Sequence, residues 1–156
     1  MIRVGVISDT HGLLRPEAAA FLRGCDSIIH CGDICDSQVL DALARIAPVS
    51  AVRGNNDTGG WASGLRESEL LRIGALHVYV IHDISQIDID PAAAGVAVVL
   101  SGHSHRPHVA SRQGVLYLNP GSAGPRRFKL PVSIAELRIE GEAVQPRIET
   151  LAPGAA

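Results

Sequence analysis

Aromatic side chains are scarce in this 156-residue chain, because Phe, Trp and Tyr together make up 3% of it. Proteins that hold single-stranded nucleic acid usually stack bases on aromatic side chains beside a basic groove. A basic surplus is also missing, since 14 Lys and Arg face 16 Asp and Glu, a formal charge of −2. The composition therefore counts against a nucleic-acid-binding protein. Small anionic substrates stay open, because a bound metal supplies positive charge that composition does not count.

Long hydrophobic runs are missing as well. No stretch approaches the roughly 20 apolar residues of a membrane-spanning helix, and the N-terminal apolar run, broken by Asp9, is too short for a signal peptide. The three cysteines, Cys25, Cys31 and Cys35, form no even disulfide framework and match no zinc-ligand spacing. We therefore expect plain thiols in a cytoplasmic protein without membrane contact.

The residues that are present predict one α/β domain over residues 1–151, with a frayed tail at 152–156. Apolar residues make up 46% of the chain, which is typical of a globular core. The first third alternates predicted strands with helices, the mark of a parallel sheet with helical crossovers. Two sheets packed together with helices outside is the architecture we expect. The predicted strands are 3–8, 27–31, 49–52, 65–73, 76–81, 96–100, 115–118, 132–139 and 143–148, and the predicted helices are 17–23 and 37–46.

Polar residues of one chemical kind follow the predicted buried strands. Sites in open α/β sheets form beyond the carboxyl ends of strands, so these residues should meet at one rim. Asp and His suit transition-metal ions of borderline hardness, and there are more of them than one tetrahedral ion needs. We predict two ions that share a carboxylate, for which Asp33 is the best placed. The strand-end residues are Asp9, His11, Asp33, Asn55, His82, His103 and His105.

These motifs resemble those of the calcineurin-like metallophosphoesterase superfamily. They are D-x-H at 9–11, G-D at 32–33, G-N-x-D at 54–57, His82, and G-H-x-H at 102–105. The short chain and the N-P-G-S at 119–122 look like the small bacterial and archaeal phosphodiesterase branch, and the likeness runs from residue 4 to about 139. The resemblance implies a four-layer α/β/β/α sandwich of two mixed sheets with a dinuclear centre at one edge.

The resemblance also implies an activity. It is that of a hydrolase, a metal-dependent phosphoesterase that cleaves small phosphodiesters by attack of a metal-bound hydroxide. The ions would be divalent transition metals, Mn first, with Ni, Zn, Fe or Co as alternatives. Small members of the branch are often oligomers, so a homo-oligomer is left open. One ion would take Asp9, His11, Asp33 and His105, and the other Asp33, Asn55, His82 and His103.

The same fold also supports functions other than phosphodiester hydrolysis. The superfamily includes a eukaryotic retromer subunit that looks like this fold used as a protein-binding scaffold with a degraded metal site. A catalytically weak or inactive scaffold of that kind is the alternative, but every expected ligand position is filled here. A phosphomonoesterase would carry the same motifs and differ only in pocket shape. A nuclease is disfavoured by the charge and the scarcity of aromatics.

Two positions depart from the family pattern. Asn56 stands where many members have a His that helps to protonate the leaving group. An amide donates a hydrogen bond but is no general acid at neutral pH, so we expect slow turnover or a leaving group that needs no proton. We assign Asn56 and Asp57 to the leaving-group side. Asp83 replaces the Gly that usually follows the strand-end His, and it could weaken anion binding, support a histidine or point away.

Several polar residues remain outside these assignments. His30 lies in a buried strand, where a hydrogen-bonded structural role near the site is the simpler interpretation and support of a ligand the functional one. His77 is expected to be structural or on the surface. His108 is either without a functional role or a substrate contact or acid. The basic cluster at 126–129 is either a solvated loop or a recruiter of phosphate.

Overall fold

Two five-stranded sheets form the framework of the protein. The computed structural model describes residues 1–127 and 129–151, so the predicted tail at 152–156 lies outside the described residues. The strands are β1 (Ile2–Ile7), β2 (Ser27–His30), β3 (Val49–Ala51), β4 (Ser68–Ile73), β5 (Leu76–Ile81), β6 (Val96–Leu100), β7 (His108–Arg112), β8 (Val115–Asn119), β9 (Ser133–Glu140) and β10 (Ala143–Thr150).

Two α-helices connect the first three strands, as predicted. They are α1 (Pro16–Leu22), which has proline at its first turn, and α2 (Ser37–Ala44). The side chain of Asp36 caps α2 by accepting a hydrogen bond from the N–H of Gln38 at 2.9 Å. Single 3-10 turns occur at Gly60–Ala62 and Ile84–Gln86. Among the described residues, no helix has the length and apolar character needed to cross a membrane.

Both sheets are mixed. The first has the order β10-β9-β1-β2-β3, with β1, β2 and β3 parallel and the other pairs antiparallel. The second has the order β4-β5-β6-β8-β7, with β5, β6 and β8 parallel. The expected sandwich of two mixed sheets is confirmed. Strand β7 was not predicted, because it is an exposed edge strand whose polar residues leave no alternation to detect.

Apolar side chains fill the space between the sheets and cover the first sheet's outer face. The inner core includes Val6, Val80 and Leu137, all essentially inaccessible to water. On the outer face α1 and α2 pack over the sheet. Gly5 permits this packing, because a Cβ atom there would collide with Leu22 of α1. The helices and the two sheets are therefore three of the four predicted layers.

The outer face of the second sheet is covered differently. Tyr79 and Val99 pack there against Ile84, Ile87 and Ile89, which belong to the 3-10 turn and the loop after it. Within the described part of the chain, no α-helix lies on this face. The fourth layer is therefore a short turn and loop in place of a full helix.

The loops that follow the parallel strands are joined at one edge of the sandwich. The N–H of Asp9 donates to the carbonyl of Gly32, and the N–H of Gly102 to the carbonyl of His82, both at 2.9 Å. The first bond links the loops after β1 and β2, and the second those after β6 and β5. This edge is where the predicted ligand residues meet.

Candidate metal centre

Backbone strain is concentrated at this edge. A non-glycine residue with left-handed φ carries a conformational cost of roughly 1–2 kcal/mol, so such residues persist only where the surroundings hold them. Gln113 in the β7–β8 turn and Cys35 beside the site are two examples. The others, with φ between 46° and 70°, are all predicted metal ligands: Asp9, His11, Asp33, His103 and His105.

Asp9, His11 and His105 form one group of facing donor atoms. The Oδ1 of Asp9 lies 3.3 Å from Nε2 of His105 and 3.9 Å from Nε2 of His11. It is buried and makes no hydrogen bond with the described residues. Oδ2, by contrast, accepts hydrogen bonds from Ser8 Oγ at 2.6 Å and from the N–H of His103 at 3.1 Å. A buried carboxylate oxygen without a donor, facing two imidazoles, fits a cation.

The second group is centred on Asp33. Its Oδ2 lies 3.3 Å from Nε2 of His82 and 3.8 Å from Nε2 of His11, between the two groups. The Oδ1 of Asn55 lies 3.1 Å from Nε2 of His82 and 3.2 Å from Nδ1 of His103. The structure thus brings together all the residues predicted as ligands, and Asp33 has the central position expected of a bridge.

The division of ligands between two ions is less clear-cut than the resemblance implies. Asp9 Oδ1 lies 3.9 Å from Nε2 of His82 as well, the same distance as from His11. Asp9, Asp33 and His82 accordingly form a second set that could hold an ion. The assignment of Asp9 to a single ion therefore stays a prediction.

Hydrogen bonds behind the site orient the imidazoles. Nδ1–H of His82 donates to the carbonyl of Cys31 at 2.7 Å, which leaves Nε2 facing the centre. Nδ1 of His30 accepts the N–H of Gly32 at 3.0 Å, so its Nε2–H donates to Thr10 Oγ1 at 3.0 Å. Burial lowers the pKa of His30 to about 3 and keeps it neutral. His30 therefore ties the turns after β1 and β2 together, the simpler of the two roles considered.

Cys35 contacts the predicted ligand His11, which the sequence did not predict. Its Sγ lies 3.6 Å from Nδ1 of His11, so it can accept the ring proton and leave Nε2 free. Burial raises the pKa of Cys35 to about 11, so the side chain is a thiol at neutral pH. The signal was its place two residues after Asp33, in the same loop after β2.

Asp57 and Asn56 both contact the loop that carries Asp33. Buried Asp57 accepts the N–H of Asp33 at 2.9 Å and that of Gly54 at 2.8 Å on Oδ2, and the N–H of Cys35 at 2.8 Å on Oδ1. Asn56 donates its N–H to Asp33 Oδ1 at 2.8 Å and its Nδ2 to Oδ2 at 3.0 Å. Each residue therefore has a positioning contact, and their assignment to the leaving-group side stays a prediction.

The charge states suit a cation site. Burial alone raises the pKa of Asp33, but the neighbouring imidazole of His82 and the hydrogen bonds from Asn56 lower it well below its usual range. For Asp9, the neighbouring imidazole of His105 and the hydrogen bond from Ser8 likewise outweigh the effect of burial and lower the pKa. Both carboxylates are therefore ionised at neutral pH. Burial lowers the pKa of His11, which favours the neutral imidazole that a metal ion needs.

Asp83 turns toward the site. Its Oδ1 accepts the N–H and Oγ–H of Ser85 at 3.0 and 2.8 Å, which caps the 3-10 turn, and its Oδ2 lies 3.8 Å from Nε2 of His103. Of the three alternatives for this position, the geometry favours support of a histidine. A cleft of about 600 Å³ opens beside Asp83, His103, His82 and Asn55.

The N-P-G-S segment joins two of the ligand turns. Nδ2 of Asn119 donates to the carbonyl of Gly102 at 2.9 Å, and Ser122 Oγ–H donates to the carbonyl of Asp9 at 2.9 Å. The segment thus holds the G-H-x-H turn against the D-x-H turn. Two other histidines lie apart from the centre, since His77 and His108 are exposed on β5 and β7.

The basic cluster after this segment lies in part beside the site. Arg126 donates from Nε to the carbonyl of Leu130 at 3.2 Å, a contact within its own loop. Arg127 is exposed, and its charge lowers the pKa of His11 in addition to the larger effect of burial. A role of the cluster in phosphate recruitment stays a prediction.

Known proteins resemble this chain in sequence and in fold. A family model described as the calcineurin-like phosphoesterase superfamily domain matches residues 2–142. A probable metallophosphoesterase of Methanothermobacter thermautotrophicus is 38% identical over 157 residues, covering 93% of this chain and 90% of the relative. A phosphodiesterase of Methanocaldococcus jannaschii is 27% identical, covering 77% and 83%. Among solved structures, Entamoeba histolytica Vps29 complexed with Zn²⁺ superposes with a TM-score of 0.79 at 26% identity, covering 99% of this chain and 95% of that one.

Proposed function

The chain belongs to the calcineurin-like phosphoesterase superfamily, and we propose that this metal-dependent phosphoesterase acts on small phosphodiesters. The observation that carries the proposal is the central position of Asp33. Its Oδ2 lies between Nε2 of His82 and Nε2 of His11, at 3.3 and 3.8 Å. With the unpartnered Asp9 Oδ1 beside it, this arrangement offers a bridging carboxylate and a second anionic ligand to two cations.

The chain's own residues prepare the centre for reaction. When bound, two divalent cations would supply positive charge against the phosphoryl oxygens and a water acidic enough to act as nucleophile. Asn56 fixes both oxygens of Asp33, and Cys31 fixes the tautomer of His82. The donor atoms are therefore placed before any ligand binds, which reduces the reorganisation needed at the moment of reaction.

Two features of the site support the proposed class of substrate. Asn56 supplies no proton to a leaving alcohol, so a good leaving group is favoured. The cleft of about 600 Å³ beside His82 and His103 has room for the second ester group that a monoester lacks. The cleft favours a diester, and Asn56 favours a departing alcohol that is stable as its anion.

We propose Mn²⁺ as the metal and the cytoplasm as the location. Oxygen and imidazole ligands without thiolate suit Mn²⁺, with Ni²⁺, Zn²⁺, Fe²⁺ and Co²⁺ as competitors. Cys25, Cys31 and Cys35 are all free thiols, in keeping with a reducing compartment.

Light scattering of the metal-loaded protein would distinguish a monomer from the homo-oligomer that the resemblance leaves open.

A scaffold role is the competing hypothesis, and the site argues against it. The similarity to Vps29 is one of fold at 26% identity. A scaffold has no need of strained, hydrogen-bonded ligand residues, yet five of them hold left-handed φ here, namely Asp9, His11, Asp33, His103 and His105.

The test is hydrolysis of bis-p-nitrophenyl phosphate and p-nitrophenyl phosphate with Mn²⁺, Ni²⁺, Zn²⁺ or no metal. We expect metal-dependent cleavage that is faster for the diester. Asp33→Asn should lower kcat by about 100-fold or more, because it removes the bridging charge. Asp41→Asn, a change of the same kind on the exposed side of α2, is the control and should keep wild-type rates. No metal-dependent cleavage of either ester would favour the scaffold, and faster cleavage of the monoester would reject the diester preference.

A further inference from the structure

A second, basic cleft lies where the loop after β8 meets the end of β10. It has a volume of about 360 Å³ and is lined by Arg15, Arg126 and Lys129, together with Thr150 and three apolar residues. Its described lining residues include no Asp or Glu and none of the predicted metal ligands. The basic cleft is therefore a cationic site separate from the metal centre.

Neighbouring carboxylates do not neutralise the cations of the basic cleft. Within residues 1–127 and 129–151, the arginines that form ion pairs are Arg3, Arg53, Arg66, Arg138 and Arg147, and none of them lines the cleft. A cleft lined by charges of one sign concentrates its electric field on the space between them. An anion bound there would also relieve the repulsion among the three cations. The charge balance therefore favours an anion that carries more than one negative charge.

Backbone carbonyls hold two guanidinium groups of the basic cleft in place. Arg15 donates from Nε and Nη2 to the carbonyl of Gly124, at 3.3 and 3.2 Å. Arg126 donates from Nε to the carbonyl of Leu130 at 3.2 Å. Nη1 of Arg15 and both Nη groups of Arg126 make no hydrogen bond with the described residues, so they stay available as donors. Side chains that are ordered beforehand lower the conformational cost of binding.

The fold also fixes the backbone on both sides of the basic cleft. At the start of the loop after β8, the N–H of Ala123 donates to the carbonyl of Ser8 at 3.1 Å. At its end, the N–H of Leu151 donates to the carbonyl of Val132 at 2.8 Å, and both of these residues line the cleft. The hydrogen bonds between loop and sheet therefore determine the shape of the cleft.

We propose that the basic cleft binds a phosphoryl dianion, at a site distinct from the metal centre. A tetrahedral dianion offers oxygens to two guanidinium groups and an ammonium group together, and Thr150 adds a hydroxyl donor. The apolar lining residues Pro131, Val132 and Leu151 reduce the water around these contacts and so strengthen them. The phosphoryl group belongs either to a free phosphate ion or to a substrate that carries a second phosphate. Binding of either does not require the proposed phosphodiesterase function.

Calorimetric titration of the full chain with inorganic phosphate tests the site, after a chelating resin has removed bound metal. Without metal, the ionised carboxylates of Asp9 and Asp33 repel an anion, so the heat of binding reports on the basic cleft. We expect saturable binding of one phosphate per chain, and binding of acetate, a monoanion, that is weaker by about tenfold or more. Absence of saturable phosphate binding below about 10 mM, or equal affinities for phosphate and acetate, would overturn the proposal.

Variants assign the binding to the cleft. Lys129→Gln and Arg126→Gln each remove one positive charge, and each should weaken phosphate binding by about tenfold or more. Arg126→Gln also loses the contact with Leu130, whereas Lys129 makes no hydrogen bond with the described residues, so Lys129→Gln is the cleaner variant. Arg45→Gln removes an equal charge at the exposed end of α2, outside the cleft, and should leave the affinity unchanged. Weakening by Lys129→Gln that is no greater than weakening by Arg45→Gln would reject the cleft.

Turnover distinguishes the two sources of the phosphoryl group. Thymidine 5′-(p-nitrophenyl phosphate) and its 3′-phosphorylated form are diesters with the same leaving group. A higher kcat/KM of the Mn²⁺-loaded protein for the 3′-phosphorylated form, abolished by Lys129→Gln, would assign the site to the substrate. Equal kcat/KM values, with phosphate binding by the metal-free chain, would assign it to a free phosphate ion. Cleavage of neither diester would refute the phosphodiesterase, while the phosphate titration would still decide whether the basic cleft binds an anion.

Discussion

At the scale of single residues, the predicted metal ligands carry a conformational burden that glycine would avoid. Asp9, His11 and Asp33 hold left-handed φ values of 55°, 46° and 57°. Glycine would relieve the strain but removes the donor atom, so each position keeps its side chain at a conformational cost. Neighbouring hydrogen bonds hold the turns, such as that from the N–H of His11 to the carbonyl of Asp33 at 3.0 Å.

Asn56 is the residue whose replacement tests the leaving-group argument. Asn56→His introduces a group that can act as a general acid near neutral pH, so cleavage of alkyl esters should gain on cleavage of aryl esters. We expect the alkyl-to-aryl ratio of kcat/KM to rise by about tenfold or more. The measurement compares two diesters with the same retained group and either an alkyl or a nitrophenyl leaving group.

The control for this prediction is Asn56→Ala. It removes the hydrogen bond from Nδ2 to Asp33 Oδ2 without adding an acid, so both rates should fall and their ratio should stay the same. An alkyl-to-aryl ratio that is the same in Asn56→His as in the wild type would refute the assignment of residue 56 to the leaving-group side.

At the scale of elements, one carboxylate holds together the loops after β2 and β3. Asp57 accepts three backbone N–H groups, from Asp33, Cys35 and Gly54. Gly54 is needed for this approach, because a Cβ atom there would collide with the backbone of Asp33. The predicted bridging ligand thus depends on a side chain that is not itself a predicted ligand.

Asp57→Asn should therefore weaken both the fold and the metal site. The amide replaces one acceptor oxygen by a donor that faces buried N–H groups, which costs about 1–3 kcal/mol. We expect a lower free energy of unfolding in EDTA and a Mn²⁺ affinity reduced by about 10–100-fold. Denaturant unfolding and calorimetric titration measure these, with Asp41→Asn as the matched exposed control.

The same variant decides between two roles for Asp57. Wild-type kcat at saturating Mn²⁺ would assign Asp57 to positioning alone. A loss of kcat that persists at saturation would support its predicted place on the leaving-group side. Unchanged stability and unchanged Mn²⁺ affinity would contradict the positioning role.

The elements also show which features a sequence can reveal. The buried strands, both helices and the strand-end ligands were predictable, because apolar runs and donor residues at strand ends are local patterns. Strand β7 was not, since an edge strand exposed on both faces lacks the alternation of a half-buried one. The contact of Cys35 with His11 and the amide contacts of Asp57 were missed as well, because they join loops that are distant along the chain.

At the scale of the whole molecule, one buried carboxylate links the strands and helix at the edge of the first sheet. Glu136 on β9 is fully buried and accepts hydrogen bonds from Arg3 of β1 and Arg147 of β10. Arg3 also donates to the carbonyls of Phe21 and Arg23, at the end of α1. The cluster lies apart from the metal centre, so it can be altered without removing a ligand.

The contacts of Glu136 predict how the free energy of unfolding depends on pH. Burial alone raises its pKa, but hydrogen bonds from Arg3 and Arg147 lower it overall from the ordinary value of 4.5. A carboxyl group with a lower pKa in the folded state stabilises the fold above its unfolded pKa, and this contribution is lost as the pH falls through the folded pKa. Glu136→Gln should therefore lower the free energy of unfolding by about 1–3 kcal/mol at pH 7.

The difference between wild type and Glu136→Gln should shrink when unfolding is measured at successively lower pH below about 4.5, because protonation removes the charge that the variant lacks. Denaturant unfolding in EDTA isolates this effect from metal binding. Glu140→Gln, at the exposed end of the same strand, should stay close to the wild type throughout. A difference between wild type and Glu136→Gln that is constant from pH 7 to pH 3 would mean that the variant acts through its altered hydrogen bonding at every pH, and that the ionisation of Glu136 contributes nothing.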